Sequence, residues 1–443
     1  MSDITLHPGQ SQVFNDLFVT KKIHWAVAVT SRGWGKSYLA ATTAVAAIFE
    51  LLQLREDIPN KNVYIVAPTY AQVTDIYHPL IAYQLGMEAY CNRHSKDLGR
   101  FWFPKNVELR LVSYEAVERL RGTGAYYVVM DEVSSWTTGT GLQESWESII
   151  QPCITTRWSP RRAKYFCTPS SGRALTISTP KGYNYLHTMY NFRDADPAWG
   201  SYHFDYTTSP YLDPEEIDKI RHNIDPLKFN REYLAKFEES GNSVFYCFDR
   251  STHVKKDLPD FSEGEVVNIG IDFNVGLQCS SVFAVRGNQV HFLDEFKGHP
   301  DTENLAKAIK GRYPGRKIHA YPDPTGRSRK TSAVMGTTDF SILESFGIST
   351  FAHKGSPPIV DSVAAVNKKL KTAAGDVDMY IHPRCTGIIN SLERTQWVDN
   401  NPDTAAIDKK DGVEHFSDSV RYPIEYLYPV LSFKKSVSKG FRF

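Results

Sequence analysis

Apolar, β-branched segments alternate with helical patterns through the first half of the chain, and this alternation constrains the fold more strongly than any other feature. Strands are predicted at Trp25–Thr30, Asn62–Ala67, Tyr126–Met130 and Ala174–Ser178, with a helix at Lys36–Leu52. Strands that alternate with helices form parallel sheets covered by helices on both faces. The first half is therefore predicted to be an α/β domain built on a parallel-rich sheet.

The second half begins with three short strands that follow one another closely. They are predicted at Asn268–Asn274, Ser280–Gly287 and Gln289–Phe296, and Gly287 with Asn288 supplies a hairpin turn between the last two. A helix at Glu303–Tyr313 and a strand at Lys317–Tyr321 come next. A three-strand meander followed by alternating helices and strands is the chain order of an RNase H-like fold with a mixed sheet.

Length and composition limit the classes of protein to which the chain can belong. At 443 residues, more than one globular domain is expected, and the net charge of +1 restricts nucleic-acid binding to local basic patches. The six cysteines are scattered without zinc spacing, which predicts free thiols. No signal peptide or membrane span is expected, because no basic segment precedes an apolar run and the most apolar stretch is broken by polar residues. Four regions are predicted: an α/β domain at 1–206, a helical subdomain and linker at 207–263, an RNase H-like domain at 264–430 and a basic tail at 431–443.

The segment TSRGWGKSY, residues 30–38, lies between the first predicted strand and the helix that follows it. Its Gly-Lys-Ser ending matches a phosphate-binding loop, although Thr30 stands where that motif has its first glycine. Backbone N–H groups of such a loop point at phosphate oxygens, and Gly33 and Gly35 would allow the close approach. Lys36 would reach the β- and γ-phosphates of a nucleotide, and the Ser37 hydroxyl would complete the shell of Mg²⁺.

A carboxylate pair, Asp131 and Glu132, follows a second buried strand. Asp131 suits the positioning of Mg²⁺, and Glu132 suits the activation of water. An isolated pair of this kind is commonly a turn that ends a strand. Its place downstream of the Lys36 loop favours an active ATPase site in a RecA/P-loop-like domain.

Three aspartates in the second half have the arrangement that a two-metal nuclease requires, namely carboxylates that converge from separate elements. Asp272 lies in a core strand, where an acid is costly to bury without a metal ion or a partner. Asp323 ends a later strand in YPDPTG, and Asp418 shares one face of a predicted helix with His415, three residues before it. Each acid taken alone is also compatible with a helix cap or a salt bridge.

Further segments surround the nucleotide motifs in a fixed order. Gln10 precedes the first strand, where an amide can read an adenine edge, and RLRG at 119–122 precedes the strand that ends at Asp131. Ser178 and Thr179 end another strand, where they can sense a γ-phosphate. Together with the arginine-bearing phosphate loop, this set resembles the large terminase subunit of tailed double-stranded DNA bacteriophages. In that family the first glycine of the loop is often replaced, and an arginine is often found within the loop.

The resemblance implies roles for individual residues. Gln10 would be the adenine motif, Ser178 and Thr179 with Pro180 the coupling motif, and Arg121 an arginine finger that reaches the ATP of a neighbouring subunit. The acid trio also resembles the terminase nuclease, in which a histidine precedes the last aspartate by one turn. This likeness implies that Asp272, Asp323 and Asp418 bind two Mg²⁺ or Mn²⁺ ions, with His415 as an accessory ligand or phosphate contact.

Several residues allow more than one interpretation. Arg32 could sense the phosphates of its own site, brace the loop against an acid or move with the catalytic cycle, and we favour the first role. Glu295 is a candidate accessory acid, but neighbouring Asp294 makes its assignment ambiguous, and a solvated strand end is equally compatible. Basic residues that would contact DNA phosphates, or would simply be solvated, are Arg327, Arg329 and Lys330 after Asp323, and Arg161 and Arg162 in the first half.

For function, the resemblance covers essentially the whole chain. It implies an ATP-driven translocase of double-stranded DNA joined to a metal-dependent endonuclease, which cuts concatemeric DNA, pumps it through the portal into a procapsid and cuts again. The implied partners are the portal-bearing procapsid, a small terminase subunit and further copies in a ring on the portal, with a monomer in isolation. The implied place is the host cytoplasm, with transient docking on the portal and absence from the mature virion, and no membrane is involved.

Two rival functions are compatible with parts of the pattern. A repair helicase–nuclease that acts without a capsid shares the nucleotide motifs in outline, but the second half lacks a second RecA-like domain with its own arginine motif. A non-enzymatic DNA-binding scaffold is disfavoured because the lysine and every expected acid are intact.

Overall fold

The computed structural model describes residues 4–54, 61–136, 140–155, 172–238, 241–273, 278–328, 337–398, 406–409 and 412–430. The chain forms two compact units. The first unit comprises Met1–Ile217 and Phe229–Glu239, and the second comprises Asp218–Lys228 and Ser240–Phe443. Residues of the expected helical subdomain and linker, 207–263, are thus divided between the units. The four sequence-based boundaries remain a prediction.

The first unit is built on an eight-stranded sheet with the order β3-β4-β5-β2-β6-β7-β1-β8. Its strands are β1 Trp25–Thr30, β2 Asn62–Ala67, β3 Arg93–Ser95, β4 Arg100–Trp102, β5 Glu108–Ser113, β6 Tyr127–Asp131, β7 Arg173–Ser178 and β8 Trp199–Phe204. In this spatial order, the six strands β5, β2, β6, β7, β1 and β8 pair in parallel. At the opposite edge, β3 pairs with β4 and β4 pairs with β5 in antiparallel fashion. The predicted parallel-rich sheet is confirmed.

Helices cover both faces of this sheet. They are α1 Pro8–Phe14, α2 Lys36–Gln53, α3 Tyr70–Gln72, α4 Gly141–Glu144, α5 Gln151–Thr155 and α6 Tyr185–Asn191, with π-helical turns at Asn15–Val19, Val73–Tyr77, Leu80–Gln84 and Ser145–Ile150. Two further helices, α7 Pro214–Arg221 and α8 Pro226–Glu232, each contribute residues to both units. Alternate residues of β1 belong to different cores: Ala26 and Ala28 pack in one apolar cluster, and Val27 and Val29 pack in the other. A strand buried on both faces needs apolar residues in continuous runs, which explains the WAVAV sequence.

The second unit contains a six-stranded mixed sheet with the order β13-β12-β9-β10-β11-β14. Its strands are β9 Val267–Asp272, β10 Gln278–Arg286, β11 Gln289–His299, β12 Ile318–Pro322, β13 Ser349–Thr350 and β14 Met379–Ile381. The pairs β9–β10 and β10–β11 are antiparallel, whereas β12 pairs with β9 and β13, and β14 with β11, in parallel. The predicted three-strand meander and mixed sheet are therefore confirmed.

The helices of the second unit pack on both faces of its sheet. They are α9 Arg250–His253, α10 Thr302–Arg312, α11 Asp339–Ser345, α12 Ile359–Leu370, α13 Thr386–Arg394 and α14 Glu414–Leu427. Helix α14 crosses β9 so closely at Gly270 that a Cβ there would lie 1.8 Å from the Ser419 carbonyl oxygen. Within the described ranges, no helix is both long and apolar enough to cross a membrane.

Candidate nucleotide site and candidate nuclease site

The carboxyl ends of three neighbouring strands bring the predicted nucleotide residues of the first unit together. Strand β7 lies between β1 and β6 and pairs in parallel with both. The loop after β1, Ser178 at the end of β7 and Asp131 at the end of β6 therefore share one edge of the sheet, where ligands of parallel α/β folds commonly bind.

The phosphate loop has the backbone that its glycines were expected to supply. Gly33 and Gly35 both have positive φ, at 74° and 99°. A Cβ on Gly33 would lie 2.8 Å from the Leu212 side chain, and one on Gly35 would lie 2.6 Å from Gln10 Nε2. Helix α2 begins at the next residue, Lys36, so its first N–H groups face the same edge of the sheet.

Lys36 connects the loop to the ends of the two neighbouring strands. Its Nζ donates to Thr179 Oγ1 at 2.8 Å and to the Ser31 carbonyl oxygen at 3.3 Å. The same Nζ lies 3.5 Å from Glu132 Oε1. The ammonium is therefore held among three oxygens, one of which belongs to the expected coupling motif.

Asp131 is a buried acid with one unused oxygen. Tyr77 donates its hydroxyl proton to Asp131 Oδ2 at 2.6 Å, whereas Oδ1 has no hydrogen-bond partner within the described part of the chain. Burial, and then the charge of Glu132, raises the pKa of Asp131. An unpaired buried carboxylate oxygen is costly, and a divalent cation would satisfy it, so the residues present fit a Mg²⁺ site.

Tyr77 is a site residue that the sequence did not indicate. It is fully buried, and the Ser37 side chain lies close enough to its hydroxyl to lower its pKa slightly. It therefore contacts Asp131 and lies near Ser37, the two residues expected to hold Mg²⁺. Burial, with the neighbouring Asp131 carboxylate, raises its pKa well above the usual value, so the hydroxyl keeps its proton. Nothing in the surrounding sequence, TDIYH, distinguishes this tyrosine from a core residue.

Glu132 has a backbone conformation that few non-glycine residues adopt, with φ at 50° in the left-handed region. Such backbones cost energy and cluster at functional sites. The Ser178 hydroxyl accepts the Ser134 N–H at 3.1 Å, which ties the loop after Glu132 to the end of β7. The predicted coupling residues are therefore bonded both to this loop and, through Thr179, to Lys36.

Gln10 is fully buried beside the loop. Its Nε2 donates to the Gly35 carbonyl oxygen at 3.0 Å, and its Oε1 accepts the His7 N–H at 3.2 Å. The amide orientation is thus fixed by one acceptor and one donor of the main chain. The amide nitrogen and the amide oxygen of Gln10 each keep one further hydrogen-bonding position, because the nitrogen has two protons and the oxygen two lone pairs.

The two predicted arginines differ in their surroundings. Arg32 lies near helix α8: its N–H donates to the Glu232 carbonyl oxygen at 2.7 Å, and its guanidinium lies 3.7 Å from the Glu232 carboxylate. Arg121 is half exposed, donates to Glu118 at 3.0 Å and to the Ser148 carbonyl oxygen at 3.2 Å, and lies 3.9 Å from Glu144. Arg32 is therefore braced against an acid, and the roles of both arginines remain predictions.

The acids of the second unit meet where β9 and β12 end. Asp272 is the last residue of β9, and the Asp323 N–H donates to the Ile271 carbonyl oxygen at 3.0 Å, which holds the end of β12 beside it. Asp418 lies on the helix that crosses β9 at Gly270. Burial raises the pKa of Asp272, and the nearby charges of Asp418 and Asp323 raise it further. The charges of Asp418 and Asp323 thus both act on Asp272.

His415 and Arg421 each contact one of these acids. His415 Nδ1 lies 3.0 Å from Asp272 Oδ2, and this hydrogen bond raises the pKa of His415. Arg421 donates to Asp418 Oδ1 through Nη2 at 2.8 Å and through Nε at 3.2 Å. Carboxylate oxygens are donors that suit Mg²⁺ or Mn²⁺ chemically. Over the residues that the structure describes, however, no group of three or more His, Cys, Asp or Glu is arranged to hold a metal ion.

Glu414 is a second residue that the sequence interpretation missed. It is buried, its Oε1 lies 3.9 Å from His415 Nδ1, and its Oε2 has no hydrogen-bond partner in the described ranges. The signal was present in the sequence, because Glu414 precedes Asp418 by four residues and therefore shares its face of the helix.

The two acids at the end of the meander have structural partners. Glu295 accepts the N–H groups of Gly387 and Ile388, at 2.9 and 3.0 Å, and so caps helix α13. Asp294 pairs with Arg312 at 2.8 Å and accepts the Tyr313 hydroxyl at 3.0 Å. Glu295 is therefore not simply a solvated strand end, and both acids are engaged by protein groups.

Of the expected DNA contacts, the structure describes one. The Arg327 guanidinium donates to the carbonyl oxygens of His353 and Ala352 at 2.7 and 3.0 Å and lies 4.9 Å from the centre of the Phe340 ring. Arg161, Arg162, Arg329, Lys330 and the basic tail at 431–443 lie outside the described residues.

The chain is similar in sequence to several known proteins. Residues 27–252, about half of the chain, match the family model for the N-terminal part of the T4likevirus-type terminase large subunit. The terminase large subunit of Escherichia phage T5 is 26% identical over 243 residues, covering 52% of this chain and 48% of that protein. That of Thermus phage G20c is 26% identical over 304 residues, covering 58% and 56%. The matches thus span about half the length of these relatives.

The chain also aligns with solved structures of phage large terminases. The large terminase of a thermophilic bacteriophage covers 95% of this chain and 98% of its own, with 12% identity and a TM-score of 0.48. The nuclease domain of the P22 large terminase covers 42% of this chain and 94% of its own, with 12% identity and a TM-score of 0.33.

Proposed function

The chain belongs to the family of phage large terminase subunits, and on that premise we propose that it is a DNA-packaging motor. ATP hydrolysis in the first unit would drive double-stranded DNA into the procapsid, and an endonuclease in the second unit would cut concatemeric DNA when packaging begins and ends. The observation that carries this proposal is the meeting of Lys36, Thr179, Asp131 and Glu132 at one sheet edge.

The nucleotide chemistry follows from the contacts of Lys36. The Lys36 ammonium donates a hydrogen bond to Thr179 Oγ1 at 2.8 Å. A triphosphate bound to the N–H groups of the loop and of helix α2 would compete with Thr179 for this ammonium. Binding would thereby release Thr179, and hydrolysis would restore the bond. Because Ser178 is bonded to the loop after Glu132, this exchange offers a way to couple the nucleotide state to the position of the catalytic loop.

Ser37 and Asp131 would hold Mg²⁺, which when bound neutralises charge that develops on the phosphates. Glu132, partly exposed at the mouth of the site, would orient and deprotonate the attacking water. Arg32 would remain near its own phosphates, Gln10 would read the adenine edge, and Arg121 would exchange its Glu118 contact for the ATP of a neighbouring subunit.

In the second unit, Asp272, Asp323 and Asp418 would hold two Mg²⁺ or Mn²⁺ ions, which when bound activate water and stabilise the leaving oxygen. His415 would hold the Asp272 carboxylate in place through its 3.0 Å contact. Arg421 would do the same for Asp418. Arg327, Arg329, Lys330, Arg161 and Arg162 would contact the phosphates of the duplex.

The proposed assembly is a ring of subunits on the portal of the procapsid in the host cytoplasm, loaded with DNA by a small terminase subunit. We propose that the isolated chain is a monomer and that the mature virion lacks it. The decisive measurement is ATPase rate in the presence of portal-bearing procapsids compared with single-stranded DNA ends. Stimulation by procapsids supports the packaging motor, whereas stimulation by ends alone supports the repair helicase–nuclease.

Two variants separate the two activities. Lys36→Ala should abolish ATP hydrolysis and leave plasmid nicking measurable, because the contacts that the structure describes for this lysine lie at the nucleotide edge of the first unit. Asp272→Asn should abolish nicking, since it removes the negative charge that a cation needs, and should leave the ATPase intact. Hydrolysis that survives in Lys36→Ala, or nicking that survives in Asp272→Asn, would contradict the corresponding site.

A further inference from the structure

An exposed tyrosine lies beside the phosphate loop. Tyr211 is 62% exposed, and its Cε2 lies 3.7 Å from the position that a Cβ on Gly35 would occupy. Its ring centre is 5.9 Å from that of His7, the residue that caps helix α1. The ring is therefore close to the backbone that Gln10 holds, while most of its surface remains accessible.

The segment that carries this tyrosine is fastened to the loop. Trp34 Nε1 donates to Thr208 Oγ1 at 3.0 Å, and Ser209 Oγ, which accepts the Tyr211 N–H at 3.3 Å, donates to the Gly33 carbonyl oxygen at 3.5 Å. The Leu212 side chain fills the space above Gly33, 2.8 Å from where its Cβ would lie. These attachments fix Tyr211 relative to the loop, although its ring contributes little to the core.

We propose that Tyr211 is the stacking surface for the nucleobase of the nucleotide bound at this loop, an inference that rests on the proposed ATPase function. Lys36 and the start of helix α2 fix where the phosphates lie, and Gln10 marks the side of the loop on which Tyr211 is found. An exposed, anchored aromatic ring is the usual platform for a base, because every base presents a π-face. Stacking does not depend on base identity, so Tyr211 supplies affinity and leaves discrimination to Gln10.

Binding of two probes to the full chain tests this role. ADP carries the base, whereas inorganic tripolyphosphate carries only phosphates, and calorimetry gives a dissociation constant for each. Tyr211→Ala should weaken ADP binding by at least about 5-fold, and Tyr211→Phe, which keeps the ring, should stay within about 2-fold. Tripolyphosphate binding should be unchanged in both. The matched control is Tyr83→Ala, which removes a tyrosine of similar exposure, 60%, that lies in Leu80–Gln84.

The possible failures are distinguishable. Unchanged ADP affinity in Tyr211→Ala overturns the stacking role, and an equal loss of tripolyphosphate affinity also overturns it, because Tyr211 would then support the loop rather than the base. A wild-type chain that binds neither probe overturns the proposed ATPase and this inference with it. Lys36→Ala should weaken the binding of both probes, and the size of this loss gives the contribution of the phosphate contacts to affinity.

Discussion

At the scale of single residues, the nucleotide edge depends on a hydroxyl that no motif contains. Tyr77 donates to Asp131 Oδ2 at 2.6 Å and lies near Ser37, so one buried side chain orients a proposed Mg²⁺ ligand. Groups that hydrogen bond to metal ligands orient them and contribute to metal affinity. Because the pKa of Tyr77 lies well above its usual value, the phenol remains a proton donor to the carboxylate.

We therefore predict that Tyr77→Phe raises the Mg²⁺ concentration needed for half-maximal ATP hydrolysis by roughly 3- to 10-fold, the effect of one lost hydrogen bond. The rate at saturating Mg²⁺ should change little, since the ring still fills its place in the core. Tyr64→Phe is the control, because Tyr64 is equally buried and its hydroxyl contacts Thr123 at 3.3 Å, away from the nucleotide edge. An unchanged Mg²⁺ requirement in Tyr77→Phe would show that the hydroxyl does not orient the ligand.

Residues of this kind mark the limit of what the sequence could predict about the site. Lys36, Asp131 and Glu132 were identifiable because each belongs to a short motif at the end of a strand, where the chemistry is local in the chain. Tyr77 meets Asp131 only after a segment 54 residues earlier packs against the sheet, and no local pattern encodes that meeting. Asp272 could be recognised as an acid in a core strand, but its contact with His415 depends on the placement of helix α14.

At the scale of elements, apolar runs indicated β1, β2, β6 and β7 of the first unit but not β3, β4, β5 or β8, and they indicated the ends of strands less well. Strand β11 continues to His299, three residues beyond the predicted end at Phe296, because Gln278 and Cys279 of β10 pair with His299 and Lys297. That pairing satisfies main-chain groups and leaves no apolar signature. Strand β9 ends at Asp272, two residues short of the prediction, and Asn274 lies outside the described residues. The apolar composition of a segment indicates that it is buried, whereas the residue at which a strand ends depends on its pairing with the neighbouring strand.

One close contact between elements determines the relative positions of the proposed nuclease residues. Helix α14 approaches β9 at Gly270, and Ser281 Oγ donates to the Ser419 carbonyl oxygen at 2.8 Å, which fixes the helix on the sheet. The approach holds Asp418 and His415 near Asp272. Only glycine allows it, because a methyl group at position 270 would overlap a main-chain oxygen that cannot rotate away.

We predict that Gly270→Ala lowers the free energy of unfolding by about 3 kcal/mol or more, or else displaces helix α14 and abolishes nicking. ATP hydrolysis should persist where the chain remains folded. Gly311→Ala is the control: this glycine lies in helix α10 with nothing within 4 Å of a Cβ, so alanine should stabilise the chain by up to about 1 kcal/mol. Chemical denaturation and a nicking assay measure both effects, and a Gly270→Ala variant with normal stability and normal nicking would refute the packing argument.

At the scale of the whole molecule, the second unit draws on more of the chain than its sequence-predicted domain. The segment Asp218–Lys228 belongs to it: Tyr246 donates to Asp225, and the Ala373 N–H donates to the Ile224 carbonyl oxygen at 2.9 Å. Val244 and Phe245, also outside 264–430, are buried in the cluster that contains Phe283 and Phe292. Polar, turn-rich stretches are the most visible domain boundaries in a sequence. The residues that form these core contacts, however, lie on both sides of such a stretch.

We therefore predict that three fragments with a common end at residue 443 differ in stability according to where they begin. The fragment from residue 218 should be the most stable, because it keeps every contact of the second unit. The fragment from 240 loses the Asp225 and Ile224 contacts, worth about 3 kcal/mol together, and should melt roughly 6–12 °C lower. The fragment from 264 also loses the side chains of Val244 and Phe245 from its core, and should fail to give a cooperative transition.

A single substitution separates the hydrogen bond from the rest of the segment. Tyr246→Phe in the fragment from 218 removes the hydroxyl that donates a hydrogen bond to Asp225 and leaves the apolar packing. It should therefore lower the melting temperature by only part of the difference between the first two fragments. Thermal melts followed by circular dichroism measure all four proteins. Equal midpoints for the fragments from 218 and 240 would mean that Asp218–Lys228 does not stabilise the unit. A cooperative melt of the fragment from 264 would instead support the sequence-based boundary, since the core would then be complete without Val244 and Phe245.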